Sequence, residues 1–399
     1  MKICAFGRAL PDHGIGGMER HFQVVIRGLA ARGHKVTVLT TACPGRTEKR
    51  NEENISMHFL SGTIPGRYEF GYWKRSSEKF FALHRVDPFD VVFSESSGAF
   101  GYIEKKGREK VSVPVLFIAH GTPMREFRQH GLKSLFSPWD LMRMGRSLVY
   151  HRRMKKFLRH VDLVGTVSRQ IAADIKSELD VADNMLRIIP NGVDIDMYRP
   201  DVEAGERVRQ KSGISLDAPL IACIGRLHKD KGIGHMIEAL ARIREKLDGV
   251  KLMIVGDGPD GKRLRRLSAE RGLDDCVIFA GVVSSEETYA YYNSCDLLAL
   301  PTTAIEGLSL SLLEGMSCGK PVLSSDIGGT SELVRSGIDG ILVKPRDVSG
   351  FVQAALRILE DSSLAARMGT NARDRIISGY SQEKMLDGIE GLLREIIER

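Results

Sequence analysis

No apolar run in this 399-residue chain approaches the roughly 20 residues that a membrane-spanning helix needs. Met1–Gly7 has one basic residue, a short apolar stretch and no small-residue cleavage site, so it reads as a buried strand and not as a secretory leader. Cysteine is scarce: Cys4, Cys43, Cys223, Cys276, Cys295 and Cys318, with no C-x-x-C pair among them. That argues against a zinc ribbon or a redox motif. Free thiols in apolar runs pack as small hydrophobes and favour a reducing compartment, so a cytoplasmic location is expected. The G-x-x-x-x-G-K-[ST] phosphate loop is absent. The G-x-G-x-x-G fingerprint starts at Gly14 and Gly16 but fails at Glu19, where it needs a third glycine. Internal repeats, low-complexity tracts and nucleic-acid recognition motifs are lacking too.

What is present is an alternation. Ile3–Phe6 reads as a strand, Gly14–Gly17 as a loop, and Phe22, Val25, Ile26 and Leu29 recur at helical spacing. Further strands are expected at 36–40, 91–93 and 115–119. The second half repeats the scheme with strands at 220–224, 251–255, 277–279, 297–300 and 321–323 and a helix at 233–247. Strands alternating with helices mean parallel sheets covered on both faces. The fold class is therefore α/β, with two doubly wound, Rossmann-like domains. Residues 1–200 and a returning helix at 380–399 form the first, and residues 201–379 the second. Met385, Ile389, Leu392 and Ile396 give the last helix an apolar stripe for docking. Ligands of such folds bind beyond the C-terminal ends of the strands, so a site is expected in a cleft between the domains.

Three motifs stand at such strand ends. Glu306 and Glu314 bracket a loop and a helix start, with Gly307 permitting close backbone approach and Ser309 placed as N-cap. Unpaired amides and the helix dipole favour phosphate there. Glu314 falls about 7 Å along the helix axis, so the two carboxylates suit separate hydroxyl sets on one extended ligand. In Gly225–Gly232, Arg226 offers a planar fork and Lys231 a point charge to phosphate oxygens. Gly16 and Gly17 make an anion-facing turn, and His120 follows a strand end. Asp194-Ile195-Asp196 matches the D-x-D pattern of metal-using sugar transferases, but its place at the domain junction argues against a metal role.

Together these motifs resemble glycosyltransferase family 4, the retaining GT-B-type enzymes, nearly end to end. The family's E-x7-E pattern fits Glu306 and Glu314, its G-R-L-x-x-x-K-G pattern Gly225–Gly232, and its GG-x-E loop Gly16, Gly17 and Glu19. Its cleft histidine fits His120; the N-G-V-D junction at Asn191–Asp194 and the glycine loop at Gly256–Gly258 match as well. The resemblance implies that Glu306 holds the donor sugar's hydroxyls and Glu314 the ribose. Arg226 and Lys231 neutralise the departing diphosphate, with amides near Leu308 and Ser309 assisting. Gly16 and Gly17 approach from the other domain, and His120 contacts the sugar near the reacting carbon. It implies a retaining hexosyl transfer from a UDP- or GDP-sugar to a glycan or lipid-linked acceptor in cell-envelope synthesis. Neither metal nor bound cofactor is expected. Leu308-Ser309 replaces the family's frequent Phe-Gly, which leaves the sugar open. An epimerase or a phosphorylase of the same fold is the alternative reading.

Charge is uneven. Residues 1–200 hold 32 Lys and Arg against 21 Asp and Glu, whereas the remainder holds 26 against 30. Within 125–160 the cluster Arg152, Arg153, Lys155, Lys156 and Arg159 lies beside Phe157, Leu158 and Trp139. The expectation is a basic amphipathic helix that meets an anionic membrane surface.

Overall fold

The computed structural model describes residues 1–14, 16–45, 48–68, 71–122 and 138–399. The chain divides into two compact units, Met1–Pro190 with Met385–Arg399, and Asn191–Lys384.

The first unit carries β1 (Lys2–Phe6), β2 (Lys35–Thr41), β3 (Lys49–Glu52), β4 (Ile55–Leu60), β5 (Val91–Glu95), β6 (Val115–Ala119), β7 (Leu163–Thr166) and β8 (Leu186–Ile188). They form one sheet in the order β3-β4-β2-β1-β5-β6-β7-β8, parallel except for β3 against β4. The middle strands β5 and β6 are buried at every residue, as expected where helices cover both faces of a sheet. On one face, Phe22, Val25, Ile26 and Leu29 of the helix Gly17–Ala31 pack with Met385, Ile389, Leu393 and Ile396 of the helix Gln382–Glu398. On the other, Phe80, Phe100, Tyr102 and Phe157 form an aromatic layer, with the Phe80 and Tyr102 rings 4.5 Å apart. Aromatic pairs at this distance add about 0.5–1.5 kcal/mol beyond their area burial.

The second unit carries β9 (Leu220–Ile224), β10 (Lys251–Val255), β11 (Val277–Gly281), β12 (Leu297–Leu300), β13 (Val322–Ser325) and β14 (Gly340–Val343), all parallel, in the order β11-β10-β9-β12-β13-β14. Each sheet therefore reverses its winding once. The reversal falls between β1 and β5 in the first unit and between β9 and β12 in the second. Crevices for ligands open at such switch points, beyond the C-terminal strand ends.

The first unit ends at Pro190, ten residues before the boundary expected from sequence. Asn191–Pro200 is held by the second unit: Asn191 Nδ2 donates to the Leu308 carbonyl at 2.9 Å, and Ser317 Oγ donates to the Tyr198 carbonyl. Tyr198 is buried among Val208, Tyr292 and Met316. The returning helix opens at Gln382, with its first three residues still in the second unit.

Candidate functional site

In the second unit, two loops leave the switch point and are stitched together. Thr303 N donates to the Asp230 carbonyl at 2.7 Å, and Thr302 Oγ1 to the same oxygen at 3.0 Å. Gly232 makes this seam possible. Its φ is +65°, and a Cβ there would lie 1.9 Å from the Pro301 carbonyl oxygen. Only glycine accepts both conditions. The seam brings Lys231 Nζ to 2.8 Å from Glu306 Oε1, and Thr302 Oγ1 lies 3.0 Å from that oxygen, so its single hydroxyl proton is shared between Glu306 and the Asp230 carbonyl. Both charged side chains keep access to solvent, 27% for Lys231 and 18% for Glu306. Arg226, two residues past the end of β9, is exposed. Gly256 performs a similar service after β10, with φ +123° and a would-be Cβ 2.1 Å from the Gly225 carbonyl oxygen.

Ser309 is the N-cap residue of the helix Leu310–Ser317, but its hydroxyl pairs with Ser311 Oγ at 3.0 Å and caps no amide. The Leu308 side chain is buried in the hydrophobic core, so residue 308 meets a ligand only through its backbone. Glu314 is 4% exposed and accepts from Tyr292 OH at 2.7 Å. Sequence reasoning missed Thr302 and Tyr292, because a threonine in a loop and a tyrosine in an amphipathic helix carry no motif. Asp194 is occupied in a turn, accepting from Asp196 N at 3.0 Å and Met197 N at 2.9 Å.

A cavity of 440 Å³ lies elsewhere in this unit, lined in part by Arg209, Lys320 and Arg373. Its cations are committed to the fold. Arg209 donates to the carbonyls of Ser294, Ser215, Leu216 and Ala218 and pairs with Asp296. Lys320 and Arg373 likewise donate to carbonyls, of Asn293 and of Tyr198 and Ser317.

In the first unit, Gly16 has extended backbone and precedes the helix that Gly17 opens. Glu19 of that helix pairs with Arg8 at 3.3 Å. Two residues further, His21 Nδ1 lies 3.1 Å from Glu95 Oε1, and His120 Nε2 lies 2.6 Å from the same oxygen. The two imidazoles meet edge to face with centroids 4.7 Å apart. Glu95 ends β5 and His120 follows β6, whose Ile118 is in register with Glu95. The cluster thus sits at the first unit's switch point. Burial pushes the Glu95 carboxyl up, but the charges and hydrogen bonds of His21 and His120 outweigh it and hold it at about 2. Neither Glu95 nor His21 stands in a sequence motif; the accessible signal was a carboxylate closing a strand that opens Val91-Val92-Phe93.

The basic cluster differs from expectation. Phe157 and Leu158 are core residues, each 3% exposed, and so are unavailable to a membrane. Arg153 pairs with Glu104 and stacks 4.1 Å over Trp73, while Lys155 pairs with Asp180. The helix Pro138–Leu158 does expose Leu148, Val149, Arg152 and Lys156, which helical spacing places on one face. The part of the cluster at 125–137 lies outside the described residues. No helix among the described residues is long and apolar enough to cross a membrane. All six cysteines are free and buried.

Residues 15–197 match the family model described as Glycosyltransferase Family 4, and residues 205–375 match that described as Glycosyl transferases group 1. The chain belongs to the family 4-type glycosyltransferases of the GT-B fold. It is 29% identical over 262 residues to a GDP-mannose-dependent alpha-(1-6)-phosphatidylinositol monomannoside mannosyltransferase of Mycobacterium tuberculosis; the match covers 64% of this chain and 66% of that enzyme. Among solved structures it resembles a sucrose-phosphate synthase of Thermosynechococcus elongatus, with a TM-score of 0.84, 23% identity and full coverage of both chains. HepE of Anabaena, in complex with UDP and glucose, superposes with a TM-score of 0.76 at 20% identity over 99% of each chain.

Proposed function

We propose that the protein transfers a hexose-type sugar from a UDP- or GDP-sugar to a glycan or lipid-linked acceptor, with retained anomeric configuration and without a metal ion. The observation that carries this reading is the Lys231–Glu306 pair, partly open to solvent at the second unit's switch point, with Arg226 exposed at the adjacent strand end. A cation, a carboxylate and a guanidinium so placed match the parts of a sugar diphosphate: phosphate for Lys231 and Arg226, sugar hydroxyls for Glu306. Glu314, buried against Tyr292, is assigned to the ribose diol.

The chemistry follows from charge. The bond between the anomeric carbon and the diphosphate oxygen breaks, and its electrons leave with the nucleoside diphosphate. The acceptor hydroxyl oxygen bonds to the same carbon from the same face, and its proton passes to the departing phosphate oxygen. Negative charge grows on the leaving group, where Arg226, Lys231 and the amides near Gly307, Leu308 and Ser309 stabilise it without reorganising. His120 lies near the reacting carbon on this reading, with Gly16 and Gly17 alongside. Gly256, which shapes the loop beside Gly225, belongs to the donor-binding residues on the same reading.

The relatives support transfer over epimerisation or phosphorolysis. The mycobacterial enzyme is GDP-mannose-dependent by name and HepE binds UDP, so both bases belong in the assay. The acceptor side is assigned to the first unit. The exposed face of Leu148, Val149, Arg152 and Lys156 supports peripheral contact with an anionic membrane at the cytoplasmic side, in synthesis of a cell-envelope polysaccharide or glycolipid. Co-sedimentation with anionic vesicles at low salt tests that part, and absence of binding removes it. The reaction itself is tested by incubating the purified chain with UDP- and GDP-sugars and measuring nucleoside diphosphate release. One donor should turn over, and Glu306→Gln and Arg226→Ala should each lower it about 100-fold or more. Turnover retained in both variants would reject the site.

A further inference from the structure

We propose that Glu95, together with His21, is a positioning residue for His120, fixing which ring nitrogen carries the proton and how the imidazole is turned. The proposal rests on the reading that His120 faces the donor sugar, and it adds two residues that no motif marks.

The cluster is layered from solvent inward. The His120 side chain is 18% exposed, His21 4% and Glu95 2%, so of the three only His120 is placed to touch a ligand. Beneath it one carboxylate oxygen receives both imidazoles, at 2.6 Å from His120 and 3.1 Å from His21. An ionised carboxylate only accepts, so both nitrogens donate: Nε2–H of His120 and Nδ1–H of His21. Whenever the His120 ring is neutral, that selects its tautomer, with the proton on Nε2 and none on Nδ1. His21 braces the arrangement through its edge-to-face contact at 4.7 Å. Glu95 is itself held: Tyr68 OH donates to its backbone carbonyl, and Ser96 turns the chain away with φ +52°.

The same three residues are near enough to consider as ligands of one metal ion. The distances favour the hydrogen bond. Two ligands each about 2.0–2.1 Å from a tetrahedral ion lie about 3.3 Å apart, well beyond the 2.6 Å between Glu95 and His120. The separation instead suits a charge-assisted N–H···O bond. A carboxylate hydrogen-bonded behind a working imidazole holds its tautomer and orientation, and turnover falls when it is lost.

The test uses the full chain with 15N-labelled histidine and long-range proton–nitrogen correlation, His120 being assigned from His120→Ala. In the unsubstituted protein His120 should carry its proton on Nε2, and in Glu95→Gln the two tautomers should mix. Nε2 without a proton in the unsubstituted protein overturns the proposal, even where Glu95→Gln fails to fold. So does an unchanged tautomer in a folded Glu95→Gln, or one equivalent of zinc in the purified chain by elemental analysis. Kinetics separates this from the reading it rests on. If His120→Ala leaves donor turnover intact, that reading fails while the spectra still judge the positioning. If His120→Ala lowers turnover, Glu95→Gln should lower kcat/KM at least about 10-fold, with no further loss in the double variant. Additive losses would assign Glu95 a merely structural role and overturn the proposal.

Discussion

Replacing Lys231 by alanine separates what the Lys231–Glu306 pair does for the fold from what it does for the reaction. At 2.8 Å and an effective dielectric of about 20, the gross attraction is about 6 kcal/mol. Desolvation and side-chain ordering offset most of this. Because both groups keep partial solvent access, the net contribution to stability is about 1 kcal/mol. Thr302 Oγ1 still donates to Glu306 after the substitution, which limits the loss further. The effect on transfer should be much larger. Removing one preorganised donor from a developing anion costs about 10²- to 10³-fold in kcat, or about 2.7–4 kcal/mol. Glu306→Gln should show the same imbalance. Since the two side chains touch, the double variant should lose less transition-state stabilisation than the sum of the singles. Urea denaturation gives the stability change, and initial rates on the productive donor give kcat/KM. Equal losses in stability and in transition-state stabilisation would refute the reasoning, because the pair would then be a structural brace alone.

Tyr292→Phe leaves buried Glu314 without the phenol donor and should cost about 1–3 kcal/mol in urea denaturation; an unchanged midpoint contradicts this. Gly256→Ala must place a Cβ 2.1 Å from a carbonyl oxygen at φ +123°. Strain of this kind should lower stability by about 1–3 kcal/mol and reduce donor turnover as the Gly225 loop shifts. A stable, fully active variant would dismiss the backbone contact. Burial, then the charges of Lys79 and Lys49, hold His58 down from 6.5 to about 4. Folding therefore disfavours protonated His58, a penalty absent above about pH 6.5 that grows to about 3 kcal/mol as pH falls toward 4. His58→Gln should flatten that acid limb of thermal stability, and superimposable limbs would show that His58 is not its source.

The central strands were legible because burial on both faces writes itself as unbroken apolar runs. β6, β9, β10 and β12 have the residues their sequences indicate. Strands β3, β4, β7, β8 and β14 were not legible. β3 is polar throughout, Ser56 and His58 interrupt β4, and the other three have only three or four residues each, too few to show a period. The boundary at Pro190 was hidden for another reason: Asn191 and Tyr198 are claimed by tertiary contacts to Leu308 and Ser317, which local composition does not encode. In the candidate site, the glycines, Lys231 and Glu306 were legible because their spacing follows from a backbone seam. Tyr292, Thr302, Glu95 and His21 reach their partners only through the fold, across 22, 4, 25 and 74 positions respectively. The basic cluster was legible only in part, with Arg152 and Lys156 exposed as expected. Local charge suggested a membrane face, whereas packing takes Phe157, Leu158, Arg153 and Lys155 for the first unit's own use.

The account stands most directly on where the donor's diphosphate is held. Calorimetric titration of the ligand-free chain with UDP and with GDP, repeated on Arg226→Ala, measures that. One equivalent of one nucleotide should bind, weakened about 10-fold or more in the variant through loss of a charge-assisted contact. Binding of neither nucleotide, or equal affinity in both proteins, would contradict it.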